Sequence, residues 1–229
     1  MLKPLALCHN VIKYITIQTD VVEYLDMETI VVATGNKNKI KEIGDITREL
    51  GIAVVSKDEL GFADVDVVED GETFEENSRK KAVEIMKLCN KPTLADDSGL
   101  QVDYLDGAPG IHSARFAGEE HNDVKNYEKL LSLLEGVPWD QRKAKFVTVI
   151  TLVYPDGREI VARGECHGHI AERPVGDQGF GYDPVFVPDG YEETFAQLGT
   201  DVKNHIGHRS RALNILSEKL KEMHIAGEA

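Results

Sequence analysis

The segment between Lys143 and Ile170 most constrains how this chain folds. Phe146, Thr148, Ile150, Leu152 and Tyr154 alternate with a second apolar set, and Pro155-Asp156-Gly157 follows as a turn sequence. A period of two puts successive side chains on opposite faces of a strand, and the turn sends the chain back antiparallel. Residues 143–170 are therefore expected to form one long hairpin. Cys166-His167-Gly168-His169 lies near the end of the return strand, where alternation separates both histidines from the cysteine. That separation argues against a metal cluster there.

The remaining pattern mixes strands with helices. Thr29-Ile30-Val31-Val32-Ala33 reads as a buried strand, and Ile52-Ala53-Val54-Val55 as a second. Between them, Ile40, Ile43, Ile46 and Leu50 are spaced three, three and four, as on one face of a helix. Thr73 and Glu76 form a T-x-x-E capping box, and Phe74, Ser78, Ala82, Ile85 and Cys89 follow at helical spacing. Tyr127, Leu130, Leu131 and Leu134 mark another helix, ended by Gly136 and Pro138, and Leu213, Leu216, Leu220 and Met223 mark the last. For 229 residues with 41% hydrophobic content, this fits one large α/β domain or two small lobes. Residues 1–26 show no clean period, and the regular pattern opens at Met27. An extra edge strand, a tail and an over-extended start are all open for 1–26, with 27–229 as the domain.

Chemistry concentrates in a few polar segments. In Leu94-Ala95-Asp96-Asp97-Ser98-Gly99-Leu100, two carboxylates and a hydroxyl follow a short apolar run. The residues suit either a turn or a strand end presenting hard oxygen ligands to a divalent cation. Thr34-Gly35-Asn36-Lys37-Asn38-Lys39 joins a strand to a helix, where free backbone N–H groups suit either a phosphate or plain solvation. It is not a Walker loop, because GxxxxGK[ST] is absent. Glu69 sits in an acidic segment and is a candidate second carboxylate, with Lys81 beside the helical stripe that follows. Residues 107–118 and 176–184 are glycine-containing loops, the second with aromatics, and 203–209 leads into the last helix.

The formal net charge is −14, from 26 basic and 40 acidic side chains, which repels nucleic acid and anionic membranes. Cys8, Cys89 and Cys166 are odd in number and lack a CxxC pattern, pointing to a reducing compartment. No apolar run approaches membrane-spanning length, and the first residues lack the apolar core of a signal peptide. A soluble, cytoplasmic protein is the expectation.

Taken in order, TGNKNK (34–39), EDGETFEENSRKKA (69–82), ADDSGL (95–100), GFGYDP (179–184) and KNHIGHR (203–209) resemble the inosine/xanthosine triphosphate pyrophosphatases. APGIHSARFAG (108–118) is similar to a loop of the same family. The resemblance implies an elongated two-lobed α/β fold with a long bent mixed sheet, a central substrate cleft and a homodimer. It also implies Mg²⁺-dependent hydrolysis of purine nucleoside triphosphates between the α and β phosphates, with hypoxanthine and xanthine as preferred bases. Competing readings are a metal-dependent nucleotide phosphatase, which would release phosphate, and a non-catalytic nucleotide-binding protein.

Carried onto this chain, the resemblance makes Glu69 and Asp97 the Mg²⁺ ligands and Asp97 the proton acceptor, with Asp96 or a metal-activated water sharing that role as an open alternative. Thr34, Gly35, Asn36, Lys37, Asn38 and Lys39 cradle phosphates, Lys81 reaches the triphosphate, and Ser98 donates to a phosphate or orients the metal site. Phe180, Gly181, Tyr182 and Asp183 surround base and sugar, with Phe180 as the stacking platform. Lys203, His208 and Arg209 read the base edge, where an O6 acceptor suits cationic donors and an adenine amino group does not. Gly207 stands where the family usually has serine, so a hydroxyl contact or helix cap is lost there.

Overall fold

The structure, a computed structural model, describes residues 29–118 and 122–227, with side chains to Met223. The extension 1–26 lies outside the described residues. A single mixed sheet runs in the order β2-β1-β3-β4-β5-β6. Its strands are β1 (Ile30–Val32), β2 (Val54–Ser56), β3 (Thr93–Val102), β4 (Lys143–Val153), β5 (Glu159–Ile170) and β6 (Phe186–Pro188). β1 pairs parallel with β2 and β3, and every pairing from β3 to β6 is antiparallel. The helices are α1 (Lys37–Glu49), α2 (Phe74–Cys89), α3 (Asp123–Leu133), α4 (Phe195–Ile206) and α5 (His208–Gly227). The expected mixed α/β class and the 143–170 hairpin are both borne out.

Helices cover the sheet on both sides. α1 and α5 pack on one face around Ile43, Ile46, Leu94, Ile150, Leu152 and Leu213. α2 covers the opposite face, with Ala82 and Ile85 against Val31, Ala95 and Val153. β4 is buried on both sides along most of its length, which is why its apolar residues run almost without a break. β5 alternates instead, burying Ile160, Ala162 and Cys166 and turning His167 and His169 outward, as its period of two requires. Among the described residues no helix is long and apolar enough to cross a membrane.

Three local expectations are corrected. The Asp96–Gly99 stretch is not a turn: it is the middle of β3, whose residues all pair with β4 from Thr93 to Val102. Local turn preference loses to a complete ladder of backbone hydrogen bonds on a buried strand. The capping box is half formed. Thr73 Oγ1 accepts from the Glu76 N–H at 3.1 Å, but the Glu76 carboxylate accepts from the Glu72 N–H at 2.7 Å. Residues 203–206 are not a lead-in to the last helix but the end of α4, and Gly207 separates it from α5.

One close contact fixes where α5 begins. A Cβ on Gly164 of β5 would lie 2.2 Å from the His208 carbonyl oxygen and 2.4 Å from the Ala212 nitrogen. Helix backbone therefore rests directly on strand backbone, which sets the first turn of α5 on the sheet. Gly164→Ala is expected to destabilise the fold by about 1–3 kcal/mol, the usual cost of overpacking a filled core. Urea unfolding measures it, and an unchanged midpoint would show that α5 is free to lift off β5.

Candidate active site

Two adjacent residues of β3 face opposite ways. Asp96 projects toward α1 and α5, where its Oδ2 lies 3.1 Å from Lys39 Nζ and 3.0 Å from Arg209 Nη2. Asp97 projects toward α2, where Lys81 Nζ lies 3.2 Å from Oδ1 and Asn77 Nδ2 3.3 Å from Oδ2. Strand geometry requires this separation, since neighbouring side chains alternate between faces. Both carboxylates are buried, so each must be met by charge or hydrogen bonds on its own side.

On the α1/α5 side, buried charges alternate in sign. Glu42 of α1 pairs with Arg209 and lies 3.3 Å from Lys203 Nζ, which in turn lies 2.7 Å from Asp183. Asp183 Oδ2 also accepts from the Phe180 N–H at 2.9 Å, which ties down the aromatic loop. Lys203 Nζ stands 4.3 Å from the centroid of the Phe180 ring. His208 stacks on Phe146 at 4.7 Å and 14°. Burial, then Lys203 and Lys39, push its pKa well below the usual histidine value, so it is a neutral imidazole. Burial alone pulls Arg209 down to about 10, still charged at neutral pH.

On the α2 side, two carboxylates share one ammonium: Lys81 Nζ is 2.9 Å from Glu69 and 3.2 Å from Asp97. Burial works against the Lys81 charge, but Asp97, Glu69 and Asp96 outweigh it and raise its pKa. Burial raises Asp97 to about 6 despite the pull of Lys81 and Lys39. This side therefore holds one more carboxylate than cation. Among the described residues no group of three or more His, Cys, Asp or Glu could hold a metal ion by itself. Two convergent carboxylates with a deficit of positive charge do fit Mg²⁺, which commonly takes one or two carboxylates and completes its shell with phosphate oxygens and water.

At the start of α1, Asn36 is the cap: its Oδ1 accepts from the Asn38 and Lys39 N–H groups at 3.0 and 3.1 Å. The Asn36 N–H itself donates to Thr34 Oγ1 at 3.2 Å. In the 34–39 loop this leaves the N–H groups of Thr34, Gly35 and Lys37 for an anion. Tyr182 sits in the core with its hydroxyl donating to the Ser113 carbonyl at 2.9 Å. The Gly181 N–H donates to Asp123 at 2.7 Å.

Every residue expected at the site from sequence lines one cavity of about 730 Å³, from Thr34–Lys39 through Glu69, Lys81, Asp97 and Ser98 to Phe180–Asp183, Lys203, His208 and Arg209. Asp96 does not line it but holds Lys39 and Arg209 from beneath. His208 Nδ1, Arg209 Nε, Asp183 Oδ1 and Asp96 Oδ1 are buried with no protein partner, at a cost of about 1–3 kcal/mol each. Sequence reasoning missed Glu42, Asn77, Arg115 and Asp123. Glu42 had left a sign, a charged residue beside Ile43 on the apolar face of α1, and Asn77 one like it on the inner face of α2.

A mixed α/β sheet whose central strand feeds paired charges into a cavity edged by an aromatic loop defines a protein for a multiply charged anion carrying a ring. The chain belongs to the Ham1 family, whose sequence model matches residues 30–219. It is 51% identical over 201 residues to the dITP/XTP pyrophosphatase of Clostridium perfringens, covering 85% of this chain and 98% of that protein. The dITP/XTP pyrophosphatase of Desulforamulus reducens is 48% identical over 200 residues, covering 87% and 98%. Among solved structures, the Staphylococcus aureus Ham1 protein superposes with a TM-score of 0.76 at 42% identity, over 86% of this chain and all of that one. The Mycobacterium abscessus nucleoside-triphosphatase / dITP/XTP pyrophosphatase gives 0.66 at 41% identity, over 82% and 98%.

Glu42 is expected to carry stability at the site, since truncating one partner of a buried ion pair leaves the other charge uncompensated. Glu42→Ala should cost about 3 kcal/mol, read as a lower urea midpoint, and Glu42→Gln less. An unchanged midpoint for Glu42→Ala would mean that Asp96 and Asp183 suffice for Arg209 and Lys203.

Proposed function

We propose that this chain hydrolyses non-canonical purine nucleoside triphosphates (ITP, dITP and XTP) between the α and β phosphates, giving the monophosphate and pyrophosphate. One observation carries the reading: the residues expected to hold phosphates, metal and base line a single cavity. Relatives named dITP/XTP pyrophosphatase support it at 48–51% identity. Mg²⁺ as cofactor, the homodimer, the two-lobed arrangement of 27–229 and a cytoplasmic setting without nucleic-acid or membrane partners belong to the same reading.

Glu69 and Asp97 would hold the metal, which would supply charge neutralisation of the triphosphate. Lys81, held between the two carboxylates, would offer its charge to the phosphates. Lys39 and the free N–H groups of Gly35 and Lys37 bind the remaining phosphate oxygens. Ser98 donates to a phosphate or orients the metal site. Asp97 accepts the proton of the attacking water. Phosphoryl transfer depends mainly on positioning and charge stabilisation, so a carboxylate of modest basicity suffices.

Base choice follows from unspent donors. Lys203 has three N–H groups and gives one to Asp183, with Glu42 3.3 Å away as an ion-pair partner. Arg209 gives three of its five N–H groups to Glu42, Asp96 and Ser98. The donors left over pair with an O6 carbonyl and are stranded by an adenine amino group. Phe180 stacks on the purine.

Product analysis with Mg²⁺ and ITP, dITP, XTP, GTP and ATP tests the reading, scoring pyrophosphate and phosphate separately. Pyrophosphate from the first three with little from the others is expected, while phosphate as product would replace this reading by a phosphatase. Asp97→Asn should lower kcat by about 10²-fold or more with the fold intact. Phe180→Ala should raise KM about tenfold, since stacking on a base is worth about 1–3 kcal/mol. An unaltered KM removes Phe180 from the base site.

A further inference from the structure

Asn77 is 1% exposed, although it is a polar residue in the interior of α2. Its carboxamide is spent at both ends. Oδ1 accepts from the Gly71 N–H at 2.8 Å, and Nδ2 donates to Asp97 Oδ2 at 3.3 Å. The orientation of the amide is forced, because a backbone N–H only donates and must meet the oxygen, leaving the nitrogen for the carboxylate. The Gly71 side of the contact is built to match. A Cβ at Gly71 would stand 2.8 Å from Asn77 Oδ1 and 2.8 Å from Glu76 Cβ, so only glycine lets the loop come this close.

Neighbouring residues of α2 reinforce the clamp. Glu76 accepts from the Glu72 N–H at 2.7 Å, and Lys81 pairs with Glu69 at 2.9 Å. Lys80 pairs with Asp70 at 2.6 Å, so the acidic loop 69–72 is held to α2 at four points. Two of the residues involved also reach Asp97, Lys81 through its charge and Asn77 through a neutral amide. Glu69 is brought from a loop and Asp97 from β3, and no backbone pairing links the two segments among the described residues. Two side chains of α2 span them, the Lys81 ammonium and the buried Asn77 amide, and the amide is the uncharged link.

We propose that Asn77 is a positioning residue of the two-carboxylate centre, the neutral link that holds Asp97 to the Glu69 loop at a spacing suited to a divalent cation. It touches neither substrate nor metal and acts through the ligands. The inference rests on the proposed Mg²⁺ reading of Glu69 and Asp97. Residues that orient metal ligands typically cost 10–100-fold in metal affinity or activity when removed.

The test is Mg²⁺ binding by calorimetry on the full chain, together with amide exchange at Gly71 and steady-state kinetics, for wild type and Asn77→Ala. The variant is expected to bind Mg²⁺ about 10-fold or more weakly. Its Gly71 amide should exchange faster, and its KM for ITP at saturating Mg²⁺ should stay close to wild type. Unchanged Mg²⁺ affinity alongside a lowered melting temperature overturns the proposal and leaves Asn77 a packing residue. Asn77→Asp covers the case in which the alanine variant does not fold. It keeps an acceptor for Gly71 and faces Asp97 with a carboxylate in place of a donor, so Gly71 should stay protected while kcat falls about tenfold at constant KM. Wild-type kcat in that variant overturns the proposal. A wild-type chain that binds no Mg²⁺ overturns the metal reading and this inference with it, whereas wild-type binding matched by both variants overturns this inference alone.

Discussion

Adjacent carboxylates in a fully paired central strand emerge on opposite faces of the sheet, and burial obliges each face to answer its own charge. Asp96 is answered by Lys39 and Arg209, and Asp97 by Lys81 and Asn77. The elements that carry these partners, α1 and α5 on one side and α2 on the other, are the same elements that close the two apolar cores. Electrostatic completion of β3 and hydrophobic burial therefore select the same arrangement of helices. Burying a carboxylate alone is costly, and the cations and hydrogen bonds beside these two offset that cost.

The two faces differ in balance, and the difference matters chemically. On the α1/α5 side Glu42, Asp96 and Asp183 meet Lys39, Lys203 and Arg209 one for one, giving a rigid and nearly neutral lattice. Such a lattice suits reading a neutral ring through leftover donors. On the α2 side Glu69 and Asp97 share Lys81, and the missing positive charge makes that side receptive to a cation.

Much of the fold was legible because periodicity survives in sequence. The hairpin, α1, α2 and the last helix followed from periods of two and 3.6. α4 was not legible: Gly199 interrupts it at φ 84°, so neither half holds a full apolar repeat. The Asp96–Gly99 stretch misled for the opposite reason, since four turn-forming residues lie in a strand paired along its whole length. At the site, motif order named the lining residues, while Glu42 and Asn77 stayed hidden because they act on other side chains through contacts 167 and 20 residues apart in sequence.

Sequence by itself determined the inventory of strands and helices, the family resemblance and the list of groups able to meet phosphate, metal and base. All of these are local or ordered along the chain. Tertiary structure alone decided which carboxylate faces which side, which cations are already spent, and which donors remain for a ligand. Those outcomes depend on strand alternation within a paired sheet and on backbone-to-backbone contact at Gly164, where β5 sets the start of α5. Distances of a few ångströms between residues far apart in the chain fix them, and no run of neighbouring residues encodes such distances.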